Sequence, residues 1–531
     1  MRSGVVLCVP SSISKPSQGL LYVSGQLQEK GVSLLQCTEA LIAKEPDRLE
    51  EFIAQNNLQS VLVIADSSKE SVMEALRYSI ERAGLGRLSV CYLDIKLIDR
   101  QAQGAENKLG YSTILTNLAR LERNDYVRDA IYRTAISPAK ISRRQLLRSV
   151  PRALKVESDI PIVLQDKCTR RSNSCTYCID ACPVKAISAT RESVVIDDRA
   201  CLECGACARD CPIGAIQVPS ISDDQIIAML NTLSSEESGS NRRLLLLTCP
   251  IGFQKFVSEA TENGNFGLGI VPVTIPCVAA IGSYHYLWAA SLGVDLVTAC
   301  PDDSCPRMPA VLRMQDHVES SKKVLENVGE SRVAIQHLTL NRTDSMLDKV
   351  SPVSEQSGMK RGTELSGSRR EATLEALKTL QAGKESALTV TSDHMLPFFD
   401  MTIDGAACTF CGVCEKGCPD HAISFMKDGP YLSLMFDPAA CGGCKVCEKI
   451  CPEGAIKITR HTELSDVMAR LKKTKAKDED AKCENCGASL GSKQGLLIIE
   501  KKLAKAGSSP AIAKSLHLCV RCKQMAFRPA K

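Results

Sequence analysis

Cys168-x6-Cys175-x2-Cys178-x3-Cys182-Pro183, followed by Cys201-x2-Cys204-x2-Cys207-x3-Cys211-Pro212, is the stretch on which the reading of this chain turns. Two-residue gaps let a short loop set three thiolates around one [4Fe-4S] cube, while the cysteine before each proline sits on a turn that reaches the other cube. On that rule one cluster takes Cys168, Cys175, Cys178 and Cys211, and the other takes Cys201, Cys204, Cys207 and Cys182. The six-residue gap before Cys175 departs from the usual two, so Cys168 must be brought back by a longer loop. A pair of zinc ribbons is the alternative. It fits less well, because zinc sites seldom use a third cysteine two residues on followed by Cys-Pro.

The same run recurs downstream with regular spacing. Cys408-x2-Cys411-x2-Cys414-x3-Cys418-Pro419 and Cys441-x2-Cys444-x2-Cys447-x3-Cys451-Pro452 predict one cluster on Cys408, Cys411, Cys414 and Cys451 and another on Cys441, Cys444, Cys447 and Cys418. Both stretches resemble bacterial two-cluster ferredoxins, and the resemblance implies four [4Fe-4S] clusters in one chain, an electron wire rather than a single centre.

The 531 residues suffice for about three to five domains with sizeable cores. Apolar residues make up 44% and aromatics 4%, and no uncharged apolar run reaches the roughly 18 residues of a membrane-spanning helix. The nearest, 267–297, is broken by Pro272, Pro276, His285 and Asp295, a pattern suited to buried strands around a core helix. A net charge of +5 is small for this length and does not argue for nucleic acid. The first residues carry no secretory signal, and the arginine pair in Ser142-Arg143-Arg144 lies too deep to direct export. Twenty-seven cysteines call for a reducing compartment or bound metal. A cytoplasmic protein is therefore expected.

Residues 1–125 read as alternating strands (4–9, 32–37, 60–66, 88–95) and helices (49–54, 69–83), hence a parallel sheet covered on both faces. Cys8 and Cys37 fall at strand ends, where open α/β sheets bind ligands. The strand-end cysteines, the 81–85 segment and an amphipathic helix near 126–134 make this region resemble the amino-terminal domain of the flavin-containing subunit of heterodisulfide reductase. The third strand ends in Ala65-Asp66 where that family would carry a cysteine. Cys8, Cys37 and mid-strand Cys91 thus point to a docking domain without metal rather than to a fifth cube. Residues 126–160 form a basic helical linker containing Arg143, Arg144, Arg148, Arg152 and Lys155, either a solvated face or a surface for an acidic partner.

Between the modules, which occupy 161–222 and 395–462, residues 240–345 return to α/β periodicity, with strands at 244–249, 270–277, 295–300 and 332–340 and a long helix near 311–328. Three of these strands end in cysteine, so a parallel sheet gathers Cys249, Cys277 and Cys300 on one edge, with Cys305 just beyond. Buried structural cysteines are the alternative. At Thr248-Cys249-Pro250, Ile275-Pro276-Cys277 and Cys300 to Cys305-Pro306 the chain resembles the delta subunit of methyl-viologen-reducing hydrogenase. That resemblance implies a [2Fe-2S] cluster on these four cysteines and a place between a hydrogenase or formate dehydrogenase and heterodisulfide reductase. The family opens with Cys-x2-Cys, whereas Gly252 occupies the second position here.

Residues 351–394 read as a linker around a helical patch at 371–382. The tail, 463–531, opens with a charged helix at 463–475 and closes with Cys483-x2-Cys486 and Cys519-x2-Cys522, a four-cysteine zinc ribbon, with a rubredoxin-type iron as the alternative. The order from Cys168 to Cys522 resembles large 4Fe-4S accessory proteins of formate dehydrogenases.

No Gly-x-Gly-x-x-Gly follows a strand and no Gly-Lys-Ser/Thr loop exists, so neither motif offers a flavin or nucleotide site; seven histidines form no pair at catalytic spacing. The expected fold is multidomain, α/β plus α+β: two two-cluster ferredoxin modules, two parallel α/β domains and a zinc ribbon. The expected role is a non-catalytic subunit of a hetero-oligomer, passing single electrons between a flavoprotein and a formate dehydrogenase or hydrogenase. The rivals are a reductase acting on a small disulfide and a cluster-maturation protein.

Overall fold

The computed structural model describes residues 3–10, 17–38, 45, 47–66, 70–83, 85, 90–101, 108–122, 158–169, 175–190, 193–235, 244–263, 269–330, 333–341, 344–350, 364–382, 395–460, 462–507 and 515–526. The basic run at 143–155 and the amphipathic helix near 126–134 lie outside these residues. The chain divides into two compact units. One comprises Met1–Cys168, Tyr177–Ser188 and Val194–Ser386, and the other Thr169–Thr176, Ala189–Ser193 and Ala387–Lys531. Among the described residues no helix is long and apolar enough to cross a membrane.

In the first unit, β1 (Ser3–Val9), β2 (Ser33–Thr38), β3 (Ser60–Ala65) and β4 (Val90–Asp94) form an all-parallel sheet in the order β2-β1-β3-β4. The two central strands are near-continuous apolar runs buried along their whole length, as expected when helices cover both faces. The first ferredoxin-like region contributes β5 (Ile162–Val163), β6 (Ile187–Ala189), β7 (Val194–Ile196) and β8 (Ile216–Gln217), with β5 antiparallel to β8. A second parallel sheet contains β9 (Leu244–Thr248), β10 (Ile270–Thr274), β11 (Asp295–Cys300) and β12 (Ile335–Thr339), ordered β10-β9-β11-β12. The long helix expected near 311–328 is Met314–Asn327, preceded by a short helix, Met308–Val311.

The two α/β regions are not separate bodies. One apolar cluster runs from Val5, Leu62 and Leu93 through Leu97, Ile114 and Leu118 to Leu246, Phe256 and Val297. Polar contacts cross the same seam. Gln101 Nε2 donates to the carbonyl of Ile270 at 2.9 Å, Arg120 donates to the carbonyl of Thr274, and Gln225 Nε2 donates to the carbonyl of Arg120 at 3.2 Å.

The 351–394 segment is likewise more than a linker. The helix Arg369–Gln381 starts at a capping box, with Ser368 accepting from the Glu371 amide and Glu371 accepting from the Ser368 amide. It buries Ala372, Leu374, Ala376, Leu377 and Leu380, and its Thr373 accepts a hydrogen bond from Trp288 Nε1 at 3.1 Å. The helical patch at 371–382 is legible in the sequence, but its polar composition concealed its burial.

In the second unit, β13 (Asp400–Ile403) pairs antiparallel with β16 (Ile456–Thr459), and β14 (Ile423–Asp428), β15 (Tyr431–Phe436), β17 (Lys473–Lys482) and β18 (Ser489–Ser492) form a four-stranded sheet in that order. The charged helix expected at 463–475 is a correction. Only Leu464–Ala469 is helical; Arg470 turns left-handed at φ 49°, and the chain continues as β17. Its lysines and acids have weak strand propensity, but β17 is held by cross-strand partners: Lys475 pairs with Asp400, and Lys477 lies 4.1 Å over the Tyr431 ring.

Because the second sheet shares its core with helix Lys108–Glu122, residues 240–345 expressed alone are expected to lack a cooperative thermal transition by circular dichroism, whereas residues 1–386 show one. A sharp transition in the short fragment would contradict the shared core.

Candidate iron–sulfur and zinc sites

The four cysteines that precede proline are built the same way. Each opens a turn Cys-Pro-x-x-Ala whose fourth residue has positive φ: Lys185 (54°), Gly214 (65°), His421 (49°) and Gly454 (62°). The turn aims the alanine amide at the cysteine sulfur, so that Ala186, Ala215, Ala422 and Ala455 donate to Cys182, Cys211, Cys418 and Cys451 at 3.2, 3.2, 3.3 and 3.4 Å. An N–H aimed at sulfur stabilises a thiolate. Two of the four positions carry lysine or histidine, so the cost of left-handed backbone is met by the turn rather than by glycine.

In the second unit Cys408, Cys411, Cys414 and Cys451 line one pocket of about 20 Å³, and Cys447 has Cys441, Cys444 and Cys418 as its charged neighbours. In the first unit Cys207 has Cys204, Cys178, Cys201 and Cys182 as neighbours. Burial pushes the Cys207 and Cys447 thiols well above their ordinary range, and the neighbouring thiols push further in the same direction. Buried thiols crowded in this way need a cation to deprotonate them, so the residues present fit iron–sulfur ligation. Of the first module's other three, Cys168 and Cys211 belong to the first unit and Cys175 to the second.

The second parallel sheet reverses strand order between β9 and β11, and it is there that its cysteines gather. Cys249 follows β9, Cys300 ends β11, Cys277 lies three residues past β10, and Cys305 closes the next turn. All four line a cavity of about 570 Å³, together with Cys201, Glu203, Ile251, Val278 and Arg307. Burial raises Cys277 to about 12 and Cys300 to about 11. Arg307 donates to the Pro276 carbonyl at 2.6 Å, which fixes the Cys277 loop. At Gly252, a Cβ would lie 1.9 Å from Thr248 Oγ1, itself bonded to the Ala299 carbonyl, so any larger residue there would have to displace the Thr248 side chain. The Cys277 loop also abuts the first module. Gly205 takes φ +75°, and a Cβ there would approach Ala280 Cβ to 2.6 Å.

In the tail, the sulfurs of Cys483, Cys486, Cys519 and Cys522 all lie within 4.8 Å of one another, with Cys486 and Cys519 3.6 Å apart. Tetrahedral Zn–S bonds place sulfurs about 3.8 Å apart, so the four residues fit one metal ion. Cys483 receives the Cys519 amide at 3.3 Å, and its thiol is drawn down to about 6, chiefly by that bond.

The first sheet's cysteines do not converge. Cys8 and Cys37 are cross-strand neighbours within one apolar cluster, whereas Cys91 lies in the other and faces Asn117 Oδ1 at 3.4 Å. At the end of β3, buried Asp66 pairs with Lys96 at 3.2 Å.

Sequence reasoning missed a buried polar network behind the first module. Arg369 Nε and Nη2 donate to Asp223 Oδ2 and Oδ1 at 2.9 and 2.8 Å, and the guanidinium lies 4.3 Å from the Tyr284 ring centre. His285 Nδ1 accepts from the Gly282 amide, which assigns the proton to Nε2 facing Asp223 Oδ1 at 3.2 Å. Burial alone would raise the Asp223 carboxyl, but Arg369 and His285 outweigh it and hold it well below the carboxylate range. Nearby, Arg209 pairs with Asp210, and His317 Nδ1 meets Ser283 Oγ at 2.9 Å. The Ser368–Glu371 capping signature was the available clue.

Residues 164–215 and 407–455 each match the 4Fe-4S dicluster domain family. A ferredoxin from Rickettsia felis is 38% identical over 60 residues, 11% of this chain and 51% of that protein. One of the subunits of tetrathionate reductase from Archaeoglobus fulgidus is 54% identical over 39 residues, 7% of this chain and 19% of that protein. The match therefore spans about half the length of the ferredoxin and about a fifth of the reductase protein. The chain is an iron–sulfur protein of mixed α/β structure with two ferredoxin-like dicluster domains, the equipment of electron transfer.

Burial, then Arg209, holds His317 down to about 4, against the pull of Asp210. The unfolded chain binds its proton near 6.5, so this contribution is complete above that pH and is lost as pH falls from 6.5 toward 4. H317Q is expected to flatten the decline in thermal stability between pH 7.5 and 5.5, which for wild type is on the order of 1 kcal/mol at the lower end. Parallel wild-type and H317Q curves would contradict the assignment.

Proposed function

We propose that this chain relays single electrons through four [4Fe-4S] clusters and one [2Fe-2S] cluster, with zinc closing the tail. The observation that carries the reading is the placement of Cys201, a ligand candidate of the first module, in the same cavity as Cys249, Cys277, Cys300 and Cys305. The Gly205–Ala280 approach keeps the two cysteine sets adjacent. Bound there, each cluster would supply one-electron uptake and release. The protein's part is to hold the thiolates, exclude water and fix the separation. Cys168, Cys178 and Cys211 would serve the first module's other cluster.

The resemblances to the flavin-containing component of heterodisulfide reductase and to the hydrogenase delta subunit support partners of two kinds, a flavoprotein on one side and a formate dehydrogenase or hydrogenase on the other. A cytoplasmic hetero-oligomer suits twenty-seven reduced or metal-bound cysteines. In this reading the 1–125 region is a docking domain, and 483–522 a zinc ribbon that secures the second module's end.

One observation favours a second reading, direct reduction of a small disulfide. The cavity of about 570 Å³ far exceeds the pocket of about 20 Å³ around Cys408, Cys411, Cys414 and Cys451.

The test is a metal count on anaerobically prepared protein: about 18 irons and about one zinc per chain, with C300S losing about two irons and the binuclear signal while the cubes remain. Iron near eight would contradict four cubes. Turnover of a low-molecular-weight disulfide by the isolated wild type, abolished by C300S, would favour the second reading.

A further inference from the structure

The first module is backed by a buried ion pair between Arg369 and Asp223. Arg369 is almost fully buried, and its Nη1 donates to the carbonyls of Ala208, at 2.8 Å, and Cys211. Its other two nitrogens are held by Asp223. The carboxylate accepts from Gln217 Nε2 at 3.1 Å as well as from His285. Both members of the ion pair lie against the cysteine turn, Arg369 at the Cys211 carbonyl and Asp223 Oδ2 3.1 Å from where a Cβ on Gly214 would be. A second buried guanidinium, Arg209, sits two residues before Cys211; the matching residue of the second module is Lys449, which is exposed.

Adding one electron to a cysteine-bound cluster adds one negative charge. A cation in a low-dielectric wall stabilises the reduced form and raises the potential; a carboxylate does the opposite. We propose that Arg369, oriented by Asp223, is a positioning residue that sets the potential of the cluster bound through Cys211 above the value that burial would otherwise give it. The helix that carries Arg369 thereby makes the first module a preferred resting place for electrons within the chain. This rests on the reading of Cys211 as a cluster ligand.

The two members of the pair have opposite predicted signs, which separates charge from packing. In anaerobic redox titrations of the full chain followed by electron paramagnetic resonance, R369Q is expected to move one [4Fe-4S] couple to more negative potential. D223N is expected to move the same couple upward, and R369K to restore most of the wild-type value. The remaining couples should not move. Shifts of the same sign in R369Q and D223N, or an R369K that behaves as R369Q, would overturn the proposal. So would unmoved couples with full iron content. Should R369Q fail to fold, the sign of the D223N shift decides: upward supports the proposal, and no shift or a downward one overturns it. A C211S variant that keeps full iron and all couples would instead overturn the assignment of Cys211, and with it the reading on which the proposal rests.

Discussion

Crowded, buried thiols constrain everything else in this molecule. Removing a thiolate from water is costly, and packing several together adds mutual repulsion, which is why Cys207, Cys277 and Cys447 stand so far above their ordinary range. A metal cation reverses both penalties at once. The repeated Cys-Pro turn adds an amide aimed at each distal sulfur. The modules are small and their walls few, so metal ligation takes the place of the large apolar core they lack.

Two different devices gather cysteines in this chain. In the ferredoxin-like modules, spacing along a loop does it, and sequence alone carries the information. In the second α/β region, topology does it: a parallel sheet reversing order between β9 and β11 brings together residues up to 56 positions apart. The first sheet has the same strand order but not the residues. Asp66 and its Lys96 partner occupy the end of β3, and Cys91 lies in the opposite core. One architecture thus serves once as a cysteine cradle and once as a scaffold fused to it.

The strands of both sheets were legible because their apolar runs are long and their ends are marked by cysteine, proline or acid; β11 is found where the periodicity puts it. The modules were legible because ligand spacing leaves little freedom. Two features were not. The helix at 371–382 is legible, but its burial is not, because it depends on Asp223 and Trp288, more than 80 positions away. Strand β17 contains lysine and acid where a helix would be equally suited, and only its partners Tyr431 and Asp400 decide the outcome. At β17 tertiary partners overrode local preference; at helix Arg369–Gln381 they decided burial, not conformation.

The central claim, a single chain holding five one-electron centres, is tested most directly by stepwise reduction of the isolated, fully loaded protein with a calibrated low-potential reductant under anaerobic conditions. The account predicts uptake of about five electrons per chain, four with cube-type signals and one with a binuclear signal. Uptake of two electrons or fewer, with no binuclear signal, would contradict it.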